Sequence, residues 1–153
     1  MQHSGDTSGA LLHVTDVVPT LLEEAGIAHP SGTAGSKLAP IHGKSMVPLL
    51  AGKVTNVRTE QDWVGWELFG NRAVRQGDWK LINLIKGAGG SGKWQLFNLQ
   101  KDPSELHDLA QKEPTRLKSM IDLWKQYAKE NGVILTGDGP FKKKTDPDII
   151  WDE

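Results

Sequence analysis

"WELFGNRAVRQGDWKLI", residues 66–82, contains two tryptophans, two arginines, a glutamate, an aspartate and a lysine. Its apolar and charged positions alternate, and its glycines sit where chains reverse, so it reads as paired strands with a Gly-Asp turn at 77–78. Alternation puts Arg72 and Val74 on one face and Ala73 and Arg75 on the other; beyond the turn Trp79 and Leu81 oppose Lys80 and Ile82. Two arginines on opposite faces cannot clamp one anion. The cluster is then a charged sheet in which Arg72, Arg75, Glu67, Asp78 and Lys80 pair across strands. The alternative is an arginine beside an acidic substrate group.

Working outward, the period of two runs through "DWVGWELFG", "NRAVRQ", "WKLINLI" and "KWQLFNLQ", separated at Gly70-Asn71, Gly77-Asp78 and "KGAGGSGK". Strands are expected near 63–69, 71–76, 79–85 and 94–99 in one antiparallel meander. "KDPSELHDLAQKEP" reads as a turn with a short helical turn. "EPTRLKSMIDLWKQYAKENGV" follows with the clearest helical period in the chain. Pro114 fits a first helical position, Leu117, Met120, Ile121, Trp124, Tyr127 and Ala128 form one apolar face, and Asn131-Gly132 ends it near residue 131. Trp79, Leu81, Leu96, Phe97, Leu117, Ile121 and Trp124 are the expected core. The fold class is α+β: a four-stranded antiparallel sheet packed with one long C-terminal helix, preceded by a short N-terminal helical segment.

Toward the N-terminus, "LLHVTDVVPTLLEEAGI" is a helix capped by Thr15 or Asp16, with Val17, Val18, Leu21, Leu22 and Ala25 as its buried stripe and Gly26 as its stop. A Gly/Pro/Ser-rich loop follows, then "GKSMVPLLAGK", one or two helical turns with Ser45 as cap and Gly52 as terminator. The chain is thus expected to divide into a loose leader (1–10), a helix–loop–helix segment (11–60), the sheet-and-helix unit (61–135) and an extended tail (136–153).

The 153 residues hold 18 Lys+Arg against 19 Asp+Glu, a net charge of −1, which suggests no nucleic-acid partner. The N-terminus lacks the charged start and apolar core of a signal peptide, and no apolar run approaches the ~20 residues of a membrane span, so no membrane partner is expected and no compartment is assigned. The five histidines do not cluster, and there is no cysteine, so neither a thiolate zinc site nor a cysteine nucleophile arises. "GAGGSGK" lacks the spacing of a phosphate loop, and no G-x-S-x-G elbow is present. No metal or catalytic residue is assigned.

The ordered series "HVTDVVPTLLEEAGI", "GKSMVPLLAG", "WELFGNRAVRQGDWKLI", "WQLFNLQKDPSELHDLA" and "LWKQYAKENGVIL" resembles the C-terminal portion of bacterial arylsulfatases of the type I sulfatase family. The resemblance runs from about residue 11 to residue 135. It implies a sulfuric ester hydrolase with an alkaline-phosphatase-like large domain, against which residues 11–60 would pack, and a small domain matching 61–135. The family's chemistry needs a formylglycine from a C/S-x-P-x-R signature and a calcium ion. Neither motif can be placed here, so those cofactors are expected only in an intact member and this chain alone is expected to be inactive. The resemblance places His42, Trp66, Glu67, Asn71 and Arg72 on the rim of the substrate pocket. Partners are then the large domain or, through residues 11–50, a second copy of the chain. A stand-alone binding module that has kept this fold is the alternative reading.

Overall fold

The computed structural model describes residue 5, residues 7–28 and residues 40–134. The expected tail, much of the loop before Ile41 and most of the leader's start lie outside the described residues. The chain divides between Asp62 and Trp63 into two compact units.

In the second unit, β1 (Trp63–Leu68), β2 (Asn71–Gln76), β3 (Trp79–Asn83) and β4 (Trp94–Asn98) form one antiparallel sheet in the order β1-β2-β3-β4. This is the expected meander. Register aligns Gly65 with Val74, Val74 with Leu81, and Leu81 with Leu96, so one apolar row crosses the whole sheet. On that row rests α3 (Pro114–Glu130), which buries Met120, Trp124 and Ala128. At Gly65 an added Cβ would stand 2.5 Å from the Tyr127 ring on α3. Glycine is required there by space.

Of the expected core, Leu81, Leu96, Phe97 and Trp124 are buried, whereas Trp79, Leu117 and Ile121 are half-buried and pack around its margin. Phe97 follows Leu96 and therefore faces the other side of the sheet. The Asn131 amide caps the last turn of α3 by donating to the Tyr127 carbonyl at 2.9 Å, and Gly132 takes φ 59° just beyond.

Three local expectations are corrected in this unit. The first hairpin turns at Phe69-Gly70 rather than Gly70-Asn71, because Asn71 already pairs with Leu68. Residues 101–112 hold turns and no helical turn. That segment serves β4's outer edge instead: the Leu96 N–H donates to the Asp108 carboxylate at 3.0 Å and the Leu109 N–H donates to the Leu96 carbonyl at 2.7 Å. An edge strand left with bare N–H and C=O groups would template aggregation. Finally, Lys80 makes its ion pair with Glu105, outside the sheet, at 2.6 Å rather than across strands.

The first unit is organised around a charge. A 3₁₀ turn (Val14–Asp16) leads into α1 (Val17–Glu24), and α2 (Val47–Leu50) follows the loop, with the Ser45 hydroxyl accepting from the Val47 N–H at 3.2 Å. Asp16 stands at the N-cap of α1, one of the two expected positions, but its carboxylate makes no capping bond to that helix and instead completes a capping box with His13 around the entry turn. The expected stripe is corrected: Val17, Val18, Leu21 and Ala25 are exposed while Asp16 and Thr20 are buried. The inward face is polar because its groups are all used: the Thr20 hydroxyl donates to the Asp16 carbonyl at 2.6 Å and accepts from the Met46 N–H at 2.9 Å. Gly43 passes so close that an added Cβ would lie 1.9 Å from the Thr15 carbonyl oxygen.

Candidate functional site

Four of the five residues expected at a pocket rim meet at one end of the β1–β2 hairpin. Trp66 and Glu67 close β1, and Asn71 and Arg72 open β2, with Glu67 directly opposite Arg72. His42 belongs to the first unit and is exposed there. The hairpin end is built from side chain to backbone. Glu67 Oε1 accepts from the Gly70 N–H at 2.7 Å, while Asn71 donates to the Leu68 carbonyl at 3.1 Å and accepts from the Ile85 N–H at 3.1 Å.

Arg72 shares the helix-side face with Val74, and it lays its guanidinium carbon 5.0 Å from the Trp124 ring and 5.9 Å from the Trp94 ring. Those two rings are themselves 5.7 Å apart and tilted by 56°. A guanidinium stacks on aromatic faces, so the arrangement fixes a cation at the sheet's end. The Trp124 indole N–H donates to the Trp66 carbonyl at 3.3 Å, which ties the same cluster to β1. Tyr127, on the next turn of α3, has its phenol pushed up by burial first and by the Glu67 charge second.

The first unit holds a site that the sequence reading passed over. Asp16, fully buried, takes both guanidinium nitrogens of Arg58 at 2.7 Å each, the His13 N–H at 2.7 Å and the Lys44 N–H at 2.9 Å. Burial alone would raise its pKa, but the hydrogen bonds from Arg58, Lys44 and His13 together outweigh burial and hold it below the usual carboxylate value. Nearby, Asp62 is drawn down to about 2, chiefly by the Lys44 ammonium and then by the Thr59 N–H. A signal for the Asp16 site existed in "TDVVPT", where Asp16 and Thr20 share a helical face. The partner, 42 residues on, left none.

Both carboxyls are depressed in the folded state, so their contribution is whole above the unfolded value of about 4 and is lost as pH falls through the folded values, about 2 for Asp62. The first unit is expected to hold constant stability from pH 7 down to about 5 and to weaken progressively below about 4. Amide NMR signals of Val17–Glu24 through an acid titration check this, and Asp62→Asn is expected to flatten part of the loss.

Among the described residues no group of three His, Asp or Glu side chains comes together as a cation site. No helix among them is long and apolar enough to cross a membrane. The hairpin end thus offers a fixed cation, aromatic surface and capped backbone.

The family model described as N-sulphoglucosamine sulphohydrolase, C-terminal, matches residues 2–131. The chain belongs to this family of sulfatase C-terminal domains. It is 36% identical over 133 residues to an uncharacterized sulfatase of Schizosaccharomyces pombe, covering 86% of this chain and 24% of that protein. It is 31% identical over 137 residues to an ulvan-active sulfatase of Formosa agariphila, covering 69% and 26%. The solved structure of Ps i-CgsB shares the fold with a TM-score of 0.61 at 20% identity, over 89% of this chain and 27% of that one. That of a 2-O GAG sulfatase matches with a TM-score of 0.53 at 27% identity, over 76% and 24%. This sulfatase domain therefore spans about a quarter of the length of the curated relatives it matches. Those relatives include a eukaryotic protein as well as a bacterial one.

Proposed function

We propose that the chain is the C-terminal domain of a sulfuric ester hydrolase of the arylsulfatase type, supporting the enzyme's fold and shaping its substrate pocket without being catalytic alone. The observation that carries this reading is the match over residues 2–131 by a chain spanning only about a quarter of its relatives. In the intact enzyme the formylglycine and calcium belong to the preceding portion; the described residues here hold no cation cage, and the chain has no cysteine and no S-x-P-x-R. His42, Trp66, Glu67, Asn71 and Arg72 would contribute surface, orientation and one fixed positive charge at the rim rather than proton transfer.

The exposed stripe of α1 supports the same reading. Val14, Val17, Val18 and Leu21 are between 43% and 76% exposed on a segment whose opposite face is already saturated with hydrogen bonds. Apolar surface of this kind is worth covering at roughly 25 cal/mol per Å². The large domain is the proposed cover, with a dimer through residues 11–50 as the other route. The purified chain is expected to show no turnover of an aryl sulfate, with or without calcium, above a buffer blank. Turnover above that blank sinks the proposal. Light scattering across a range of concentrations distinguishes the two covers.

A further inference from the structure

We propose that the Leu68–Phe69 tip of the β1–β2 hairpin is a preformed plug that seats in an apolar socket on the catalytic portion of the same polypeptide, an inference that rests on the reading of this chain as one part of a longer sulfatase. Leu68 pairs with Asn71, so the loop is two residues long, and both of its residues have positive φ, 52° at Phe69 and 88° at Gly70. Such turns ordinarily hold Asn, Asp or Gly, because a Cβ in the left-handed region crowds the following carbonyl. Phenylalanine is a poor choice for the turn itself.

The strain is held in place. Glu67 caps the Gly70 N–H, and Asn71 bridges the Leu68 carbonyl to the Ile85 N–H beyond β3, so both ends of the tip are fixed by side chains. What this scaffold presents is a ring and an isobutyl group side by side, 60% and 63% exposed. Backbone strain that yields no enclosed contact for its own residue points to a contact elsewhere. Neither side chain carries a donor for a sulfate, which favours an apolar socket over a contact with the ester group. The relatives' remaining three quarters supply a partner in cis.

The test compares Phe69→Asn in the 153-residue chain and in the longer polypeptide that carries it, by thermal unfolding. In the chain alone the substitution relieves the turn and is expected to raise the midpoint by about 2–4 °C. In the longer polypeptide it is expected to lower the midpoint and to speed proteolytic separation of the two portions. That reversal of sign is the signature. A rise or no change in both backgrounds overturns the plug, and a fall in both overturns it too, because the ring then packs within this chain. Leu21→Asp on α1 serves as the reference. If it destabilises the longer polypeptide while Phe69→Asn does not, the plug falls and the domain reading stands; if neither has an effect there, or no longer polypeptide carries the chain, both fall.

Discussion

Arg58→Ala is expected to destabilise the first unit by roughly 3–5 kcal/mol, because it removes one partner of a buried ion pair and leaves the other charge in place. The Arg58 side chain is 6% exposed and that of Asp16 is fully buried. The fork reaches both carboxylate oxygens and, through the same nitrogen, the Leu11 carbonyl at 2.9 Å. Lysine cannot reproduce that geometry with one ammonium, so Arg58→Lys is expected to recover only part of the loss. The double variant Asp16→Ala/Arg58→Ala is expected to lose much less than the two singles added, since it leaves no unpaired charge. Urea titration followed by amide signals of residues 13–26 measures all four proteins. A loss below about 1 kcal/mol for Arg58→Ala would mean that water reaches the pair, contrary to its burial. The expected loss is comparable with the whole stability of a unit this small. Residues 43–62, α2 included, are therefore tied to the α1 segment by buried polar contacts.

The two units were not equally legible. Sheet and helix could be read because their signals are local: alternation fixes which strand residues face α3, and the 117–128 period fixes which helix residues meet them. The row Gly65, Val74, Leu81 and Leu96 follows from strand bounds that agree with the expected ones to within two residues. The turn at Phe69 was obscured by Gly70-Asn71, a stronger turn signal whose asparagine instead uses its side chain on both neighbours. In the first unit the apolar residues of α1 suggested burial, and the polarity of its inner face depends on Arg58, Lys44 and Met46, which nothing in residues 11–26 announces. The cluster at the hairpin end was half legible. Alternation placed Arg72 on the face of Val74, but the rings it covers come from positions 94 and 124, brought there only by β4 and α3.

Trp124→Ala is expected to cost the second unit about 3–5 kcal/mol. Three separate losses converge at this residue. The largest is volume: Trp124 is 1% exposed at the centre of the cluster formed by Val74, Leu81, Leu96, Met120 and Ala128, so truncation leaves a cavity lined by residues on rigid elements. Next, the Trp66 carbonyl loses the indole donor at 3.3 Å. Last, Arg72 loses the nearer of its two rings, a contact worth roughly 0.5–2 kcal/mol. The ranking can be tested. Trp124→Phe keeps most of the volume and an aromatic face but no N–H, so it is expected to lose well under half as much as Trp124→Ala. Arg116→Ala, which removes a guanidinium lying 4.7 Å from the half-buried Trp79, is expected to lose less than about 1 kcal/mol. Denaturant midpoints read by the fluorescence of the remaining tryptophans order the three variants. If Trp124→Phe proved as damaging as Trp124→Ala, the indole hydrogen bond rather than packing would dominate, and the end of β1 at Trp66 would depend on α3 through a single polar contact.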